Sequence, residues 1–306
     1  MFVPALKEVF DMCEIFDLRN ASDEQIKMLQ SKALEILVYF RDFCEKYNLT
    51  FYLCGGCCIG AIRHKGFIPW DDDIDVFMPR EDYEKLGDLW NKYADTDRYS
   101  FCRSNKETNY RHLGASIRDN NTTFINKHSK NLDINHGIAL EILPLDGCPD
   151  NKMKRIKQIF FAMLFSLFNA QRLPNNQGKF IRIMSKIILS IVRSQKLRYW
   201  IWSYSEKQMT KYKIEDCNYI TELVTGFRYM KNKYPKCIFE KAIYKEFEGY
   251  KMPVPIGYDE YLKMAFGDYM KLPPQEQRVP RHDTVYINVK ESYKKFKGIY
   301  YGVKEK

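Results

Sequence analysis

Cys54-Gly55-Gly56, then Trp70-Asp71-Asp72-Asp73-Ile74-Asp75-Val76, with Arg63-His64-Lys65 between them, is the stretch on which the fold turns. Alternate residues of a strand share a face. Asp71, Asp73, Asp75 and Phe77 would therefore point one way, and Ile74, Val76 and Met78 into a core. Carboxylates held so close repel each other unless something positive sits among them. A hard divalent cation with oxygen ligands, magnesium above all, meets that need. An acidic loop running into a solvated strand would account for Asp71 and Asp72, but not for acids on one face with an apolar row on the other. Gly55 and Gly56 close the preceding strand, either as a tight turn or as an opening through which backbone N–H groups approach a phosphate. Arg63 and Lys65 follow within reach of the same anion.

Working outward, Ser22 and Gln25 have capping-box spacing. Ile26, Leu29, Ala33, Leu37, Phe40 and Cys44 then repeat at helical intervals, predicting a helix to about Asn48. Strand 49–54 leads to the glycines, a second helix starts over Cys57 to His64, and Gly66, Pro69 and Trp70 form a loop. Strand 73–78 is ended by Pro79, which opens a helix over 80–93. Weaker strands are expected at 99–102, 115–118 and 122–125, and a stronger one at 137–143. Inside that last run Glu141 is a lone acid among apolar neighbours, and it requires a partner, either a cation shared with Asp73 and Asp75 or a nearby Arg or Lys. Asp146, just past Pro144, is the alternative third ligand. Pro144, Gly147 and Pro149 place a boundary near 150. Residues 151–215 read as basic helices. Residues 216–306 mix strands at 219–224 and 239–247, a helix at 258–266 and a Pro- and Arg-rich segment, 272–282. The whole predicts an α/β (mixed α+β) fold with a mixed sheet flanked by helices.

The chain has 306 residues and a formal charge of +10. Such an excess suggests a polyanionic partner: nucleic acid, an acidic membrane surface or a phosphorylated substrate. It is spread along the chain rather than gathered in one tail, and a nucleic-acid partner is not expected. Basic amphipathic helices such as those after residue 151 either lie on acidic lipid surfaces or pack with their charges in water. The 22 Tyr and 20 Phe suit an aromatic core before a cation pocket. Nine cysteines without a regular framework, and acids at Glu8, Asp11 and Glu14 where a signal peptide needs apolar residues, predict a reducing, cytoplasmic setting. Cys54, Cys57 and Cys58 lack the second Cys/His pair that a zinc site needs. No apolar run is long enough to span a bilayer.

A glycine pair closing a strand, a D-x-D strand and a later acid in another strand resemble the pattern of the nucleotidyltransferase superfamily. Leu53-Cys54-Gly55-Gly56 and Gly60-Ala61-Ile62-Arg63-His64-Lys65-Gly66-Phe67-Ile68-Pro69-Trp70-Asp71-Asp72-Asp73-Ile74-Asp75-Val76 resemble the LicD family, which includes fukutin-related proteins. The likeness continues at Leu140-Glu141-Ile142-Leu143-Pro144-Leu145-Asp146-Gly147 and returns at Phe266-Gly267-Asp268-Tyr269-Met270-Lys271-Leu272-Pro273-Pro274, with Arg278 and His282 after it. It covers roughly residues 50–150 and 245–285. Cys57 and Cys58 stand where Thr and an aliphatic residue are expected, and Glu141 where Asp is commoner. The resemblance implies a nucleotidyltransferase-like catalytic core over 1–150, completed by the C-terminal region. It implies transfer of phosphocholine, or a similar phospho-alcohol, from CDP-choline to a sugar hydroxyl of a cell-surface glycan or lipid-linked precursor, with CMP leaving. Asp73, Asp75 and Glu141 would hold Mg2+ (or Mn2+) and serve catalysis. Gly55, Gly56, Arg63, Lys65, Arg278 and His282 would bind nucleotide or phosphate. Choline calls for an aromatic cage, for which Trp70, Tyr261 and Tyr269 are candidates, and a lipid-linked acceptor implies peripheral contact with the inner membrane surface. Two rivals remain: a nucleotidyltransferase releasing pyrophosphate, and a non-catalytic basic membrane- or glycan-binding protein.

Overall fold

The computed structural model describes residues 13–173 and 179–303. The signal-free reading of the N-terminus rests largely on residues 1–12, outside the described residues. Strand β1 (Glu14–Ile15) precedes helix α1 (Asp23–Lys46). The helical apolar stripe is buried along α1's length, and the capping box is formed: Gln25 N donates to Ser22 Oγ at 3.2 Å and Ser22 N to Gln25 Oε1 at 3.0 Å. Strand β2 (Tyr52–Leu53), helix α2 (Gly55–Arg63), strand β3 (Asp75–Pro79) and helix α3 (Arg80–Tyr93) follow. The glycine pair opens α2 rather than lying before it, and the strand begins at Asp75 rather than Asp73. Phe77, expected beside the acids, is 1% exposed. Its ring packs against Phe239 and Tyr261, so β3 is covered on both faces beyond Asp75.

Strands β4 (Tyr99–Arg103), β5 (Ala115–Asp119), β6 (Thr123–Asn126) and β7 (Ala139–Cys148) come next. Helices α4 (Lys152–Ala170), α5 (Lys179–Ile191) and α6 (Gln195–Met209) make up the basic middle. The remainder supplies β8 (Tyr219–Glu222), β9 (Tyr234–Pro235), the hairpin β10 (Ala242–Phe247) and β11 (Tyr250–Pro255), helix α7 (Tyr258–Phe266) and β12 (Thr284–Asn288). The central seven-stranded sheet runs β2-β3-β7-β5-β4, with β8 on β7 and β9 on β8. It is a mixed sheet, in which β3 and β7 are parallel and the other pairs antiparallel.

Strand β7 outruns the expected end at Leu143, straight through Pro144. Its pairing with β5 ends at Ile142 and that with β8 starts at Leu145. Pro144 therefore sits where one edge partner gives way to the next, the place where a missing N–H costs least. One core fills the space between this sheet and α1, α2, α3 and α7; a second, with Phe165, Phe168, Trp202 and Met209, joins α4 to α6. A separate three-stranded sheet, β1-β12-β6, carries the tail back across the molecule. Among the described residues no helix is long and apolar enough to cross a membrane.

Candidate active site

The parallel register of β3 and β7 sets Asp75 directly opposite Glu141. Glu141 N donates to Ile74 O at 2.9 Å, extending that alignment back toward Asp73. Cys57, on α2, fastens the acid segment from below: Asp75 N donates to its Sγ at 3.4 Å, and the thiol lies 3.8 Å from Asp73 O. The departure from Thr thus keeps a group that both gives and takes a hydrogen bond.

The carboxylates at 71, 73, 75 and 141 crowd one another. Burial first, then Asp73, Glu141 and Asp71, hold the Asp75 carboxyl well above the usual range. Burial also lifts Asp73, where Asp72 and Glu141 add to the rise while His282 and Arg281 oppose it, and the result is about 6. Asp71 is raised by burial and by Asp73 and Asp72. Such shifts mark a site that favours added positive charge.

Asp72 has a different role. Its side chain is fully buried, and it accepts from Arg281 N and His282 N at 3.3 Å each and from His282 Nδ1 at 3.0 Å. His282 Nδ1 is also 3.9 Å from Asp73 Oδ2. Burial pulls the His282 imidazole down, but the Asp72 hydrogen bond and the charges of Asp72, Asp73 and Asp75 outweigh it and push it up to about 9. The expected phosphate-binding histidine is therefore an imidazolium locked to Asp72, in the acid segment ahead of β3. Asp72, Asp73 and His282 offer ligand atoms within 4.8 Å of one another, a closer grouping than Asp73, Asp75 and Glu141 make among the described residues.

Glu141 is half committed. Its Oε1 lies 3.5 Å from Arg118 Nη2, the ion pair that was the alternative to a metal. Its Oε2 lies 3.1 Å from His112 Nδ1 but out of line for a hydrogen bond, and both atoms are buried without a partner. Burial keeps His112 low, with Arg118, Arg172 and His282 reinforcing it against Glu141, so the ring is neutral. An unpaired carboxylate oxygen beside raised Asp73 and Asp75 is the donor set a hard cation fits. Sequence reasoning missed His112 and Arg118, since nothing in their spacing marks them. Asp72 was legible in principle, because its parity puts it on the apolar face with Ile74, where an acid demands a partner.

The other expected residues divide. Gly55 has φ +51°, and its N–H donates to Tyr261 Oη at 3.0 Å. A Cβ on Gly56 would collide with Asp71 Oδ2, so the glycine makes room for an acid of the cluster. Arg63 Nη1 donates to Tyr269 O at 2.6 Å, and burial and the charge of Arg278 lower its pKa. Arg278 stands 5.6 Å from the Trp70 ring centroid and donates to Pro273 O. Arg63, Arg278 and Trp70 thus form a cationic corner, which Trp70 joins to the acid run in sequence. Lys65 is instead turned outward, 3.9 Å from Glu246.

Two candidate aromatics need correcting. Tyr261 is 1% exposed and packs against Phe77, Tyr234 and Phe239, and Tyr269 is buried with its hydroxyl on Asp259. Neither ring has a free face for choline; Trp70 alone of the three is part-exposed. Asp146 is corrected too. It is fully buried and held at 2.8 Å by both Nε and Nη2 of Arg80, a bidentate pair that leaves no oxygen for a cation.

Residues 48–135 match the family model described as LicD/FKTN/FKRP, nucleotidyltransferase domain. The chain is 34% identical over 260 residues, 83% of its length, to the lipopolysaccharide cholinephosphotransferase LicD of Haemophilus influenzae, 94% of which is covered. It is 39% identical over 67 residues to an uncharacterised protein of Rickettsia prowazekii, covering 20% of this chain and 25% of that one. A likeness running through nearly the whole of one transferase, on a mixed sheet that aligns Asp75 with Glu141, leads to one conclusion: the chain is an enzyme, a transferase of the LicD family.

Proposed function

We propose that this enzyme transfers phosphocholine, or a closely related phospho-alcohol, from a CDP-activated donor to a sugar hydroxyl of a cell-surface glycan precursor. The observation that carries the proposal is the crowded acid cluster with its unpartnered Glu141 oxygen, in a chain that covers 94% of a cholinephosphotransferase. The catalytic core is residues 1–150, and residues 216–306 contribute Arg278, Arg281 and His282. Asp73, Asp75 and Glu141 are the residues that would hold a divalent cation, Mg2+ or Mn2+, which offsets the charge of the diphosphate and of the transition state.

The protein's own groups do the rest. Arg63 and Arg278, with the His282 imidazolium, draw the donor's phosphates toward the acids. Asp72 holds that imidazolium in place by its 3.0 Å bond. One carboxylate of the cluster accepts the proton of the attacking hydroxyl. The sugar oxygen bonds to the phosphorus bearing choline as the bond from that phosphorus to the bridging oxygen breaks, and CMP departs.

The test incubates the purified protein with Mg2+ and CDP-choline, CDP-ribitol or CTP, and follows CMP and pyrophosphate separately. CMP from a CDP-alcohol, abolished in Asp75→Ala, is expected. Pyrophosphate from CTP would make the enzyme a nucleotidyltransferase, and no turnover of any donor by a metal-binding protein would overturn the reading altogether.

A further inference from the structure

Residues 151–205 contain eleven Lys and Arg and not one Asp or Glu. Elsewhere the two signs are mixed, so this block holds most of the chain's net excess. Arg155 is consumed inside, bonded to Gln158, Thr221 and Asn232. Arg198 is a helix tie, donating to Leu189 O and Val192 O at 2.7 Å each. Lys152, Lys154, Lys157, Arg182, Lys186 and Arg193 are exposed, and among the described residues none of them has an acidic partner.

The apolar residues of the same helices break the usual pattern of an amphipathic helix. On α5, Ile188 and Leu189 face the second core, and so does Val192 just after it. Yet Ile183, Ile187 and Ile191 are exposed as well, Ile191 at 74%. The 100° step of a helix puts these three in one sector, next to Arg182 and Lys186, and Arg193 follows just past the helix end. So α5 has a packed face, a basic face and a second apolar face that none of the described residues covers. On α4 the residues Met153 and Phe160 are exposed, and on α6 Trp200 at 62%. A chain of ring contacts joins the last two helices across the surface: Phe160 to Phe161, Phe161 to Tyr204, and Tyr204 stacked on Trp200 at 5.7 Å. An exposed apolar surface of this extent marks an interaction site.

We propose that the outer face of α4, α5 and α6 is a docking surface for an anionic phospholipid bilayer. Charge complementarity selects the occupant. Unpaired basic residues bordering aliphatic and aromatic side chains are what a helix lying in the headgroup layer presents, with Trp and Tyr at the polar boundary. Each Lys or Arg near such a surface contributes about fivefold in affinity, and six exposed ones suffice for salt-sensitive binding without a spanning segment. The inference stands apart from the catalytic reading, since its evidence lies on other helices and its readout is not turnover.

The experiment sediments the full-length protein with vesicles of phosphatidylcholine alone or with three-tenths phosphatidylglycerol, at low and high salt. Expected is at least tenfold stronger partition onto the anionic vesicles, weakened by salt. Ile183→Ser/Ile187→Ser/Ile191→Ser and, separately, Lys186→Glu/Arg193→Glu should each lower it about tenfold or more. Both should leave the melting temperature and any turnover of a soluble donor unchanged. All these side chains are exposed, and the charge variant keeps the test open should the serine variant fold poorly. Absence of binding to anionic vesicles, equal binding to neutral ones, or wild-type binding by folded variants would overturn the proposal. So would concentration-dependent self-association abolished by the same substitutions, which would make a second copy the occupant.

Discussion

Replacing Asp73 with Asn removes one charge from the acid cluster while keeping its shape. Burial and the neighbouring acids raise its pKa from the ordinary 3.8 to about 6, and that net value already includes the opposing pull of His282 and Arg281. At full value such a rise costs the ionised, metal-free protein roughly 3 kcal/mol. The side chain is 32% exposed, so solvent screening reduces this to about 1–2 kcal/mol. His282 stays neutralised in the variant, because its 3.0 Å bond is to Asp72. Asp73→Asn should therefore be more stable than the parent by about 1–2 kcal/mol in chelator at pH 7.5. The sign follows from the raised pKa: the parent's disadvantage is absent below about pH 4, where Asp73 is protonated folded or unfolded, and is complete once pH has risen through about 6. The two denaturation midpoints should converge in acid. Added Mg2+ should reverse the order at neutral pH, since a cation at a hundred times its dissociation constant stabilises by about 2.7 kcal/mol and the variant lacks a ligand. Turnover should drop about a hundredfold or more. Urea denaturation at pH 4, 6 and 7.5, with and without Mg2+, reads all of this. A variant less stable than the parent in chelator at pH 7.5, or one that keeps the full Mg2+ response, would refute the electrostatic reasoning.

Asp146→Asn leaves the Arg80 guanidinium buried with half its partner, so urea melts should show a loss of about 3 kcal/mol or more while folded enzyme keeps its specific activity; activity lost without instability would return Asp146 to the metal. Gly60→Ala drives a Cβ into the Gly66 carbonyl oxygen, which is backbone and yields little, and should cost about 1–3 kcal/mol by the same melts. Tyr261→Phe strips the Gly55 N–H of its acceptor and should lower stability by about 1 kcal/mol with the KM for donor unchanged; a raised KM would restore the ring to the choline site. Glu141→Gln should keep its melting temperature in chelator yet lose its Mg2+ response, which calorimetric titration of the cation would register directly.

Periodicity was enough to read α1 from the sequence, because it has one buried stripe at a helical interval; α2 and β3 are buried on more than one face, and their starts were displaced by a residue or two. It failed where context decides. β7 continues through Pro144 because a change of neighbour at that residue removes the need for its N–H, and no local pattern carries that information. The β10–β11 turn at Glu248 and Gly249, and strand β12 just past the Pro- and Arg-rich segment, were likewise invisible: short strands take their stability from the sheet or helix they lie against. Among site residues, the acids announced themselves by the energetic cost of their clustering. The aromatics carried no such signal, since a ring suits a core and a cage equally, and Tyr261 and Tyr269 went to the core.

The acids divide by parity, and the division explains how one short segment serves both fold and chemistry. Asp71, Asp73 and Asp75 share the crowded side, where repulsion keeps them ready for a cation. Asp72 faces the interior and is satisfied by three donors from Arg281 and His282, so it is a structural anchor in the midst of a binding site. That anchor ties the tail to the acid strand across 210 residues of sequence. Without it the imidazolium would have no fixed position, and a buried carboxylate would stand alone at a cost of several kcal/mol. The acid segment and the tail therefore form one unit although 210 residues separate them, and the charge that draws a phosphate toward the site is held there by the one acid of the run that faces the interior.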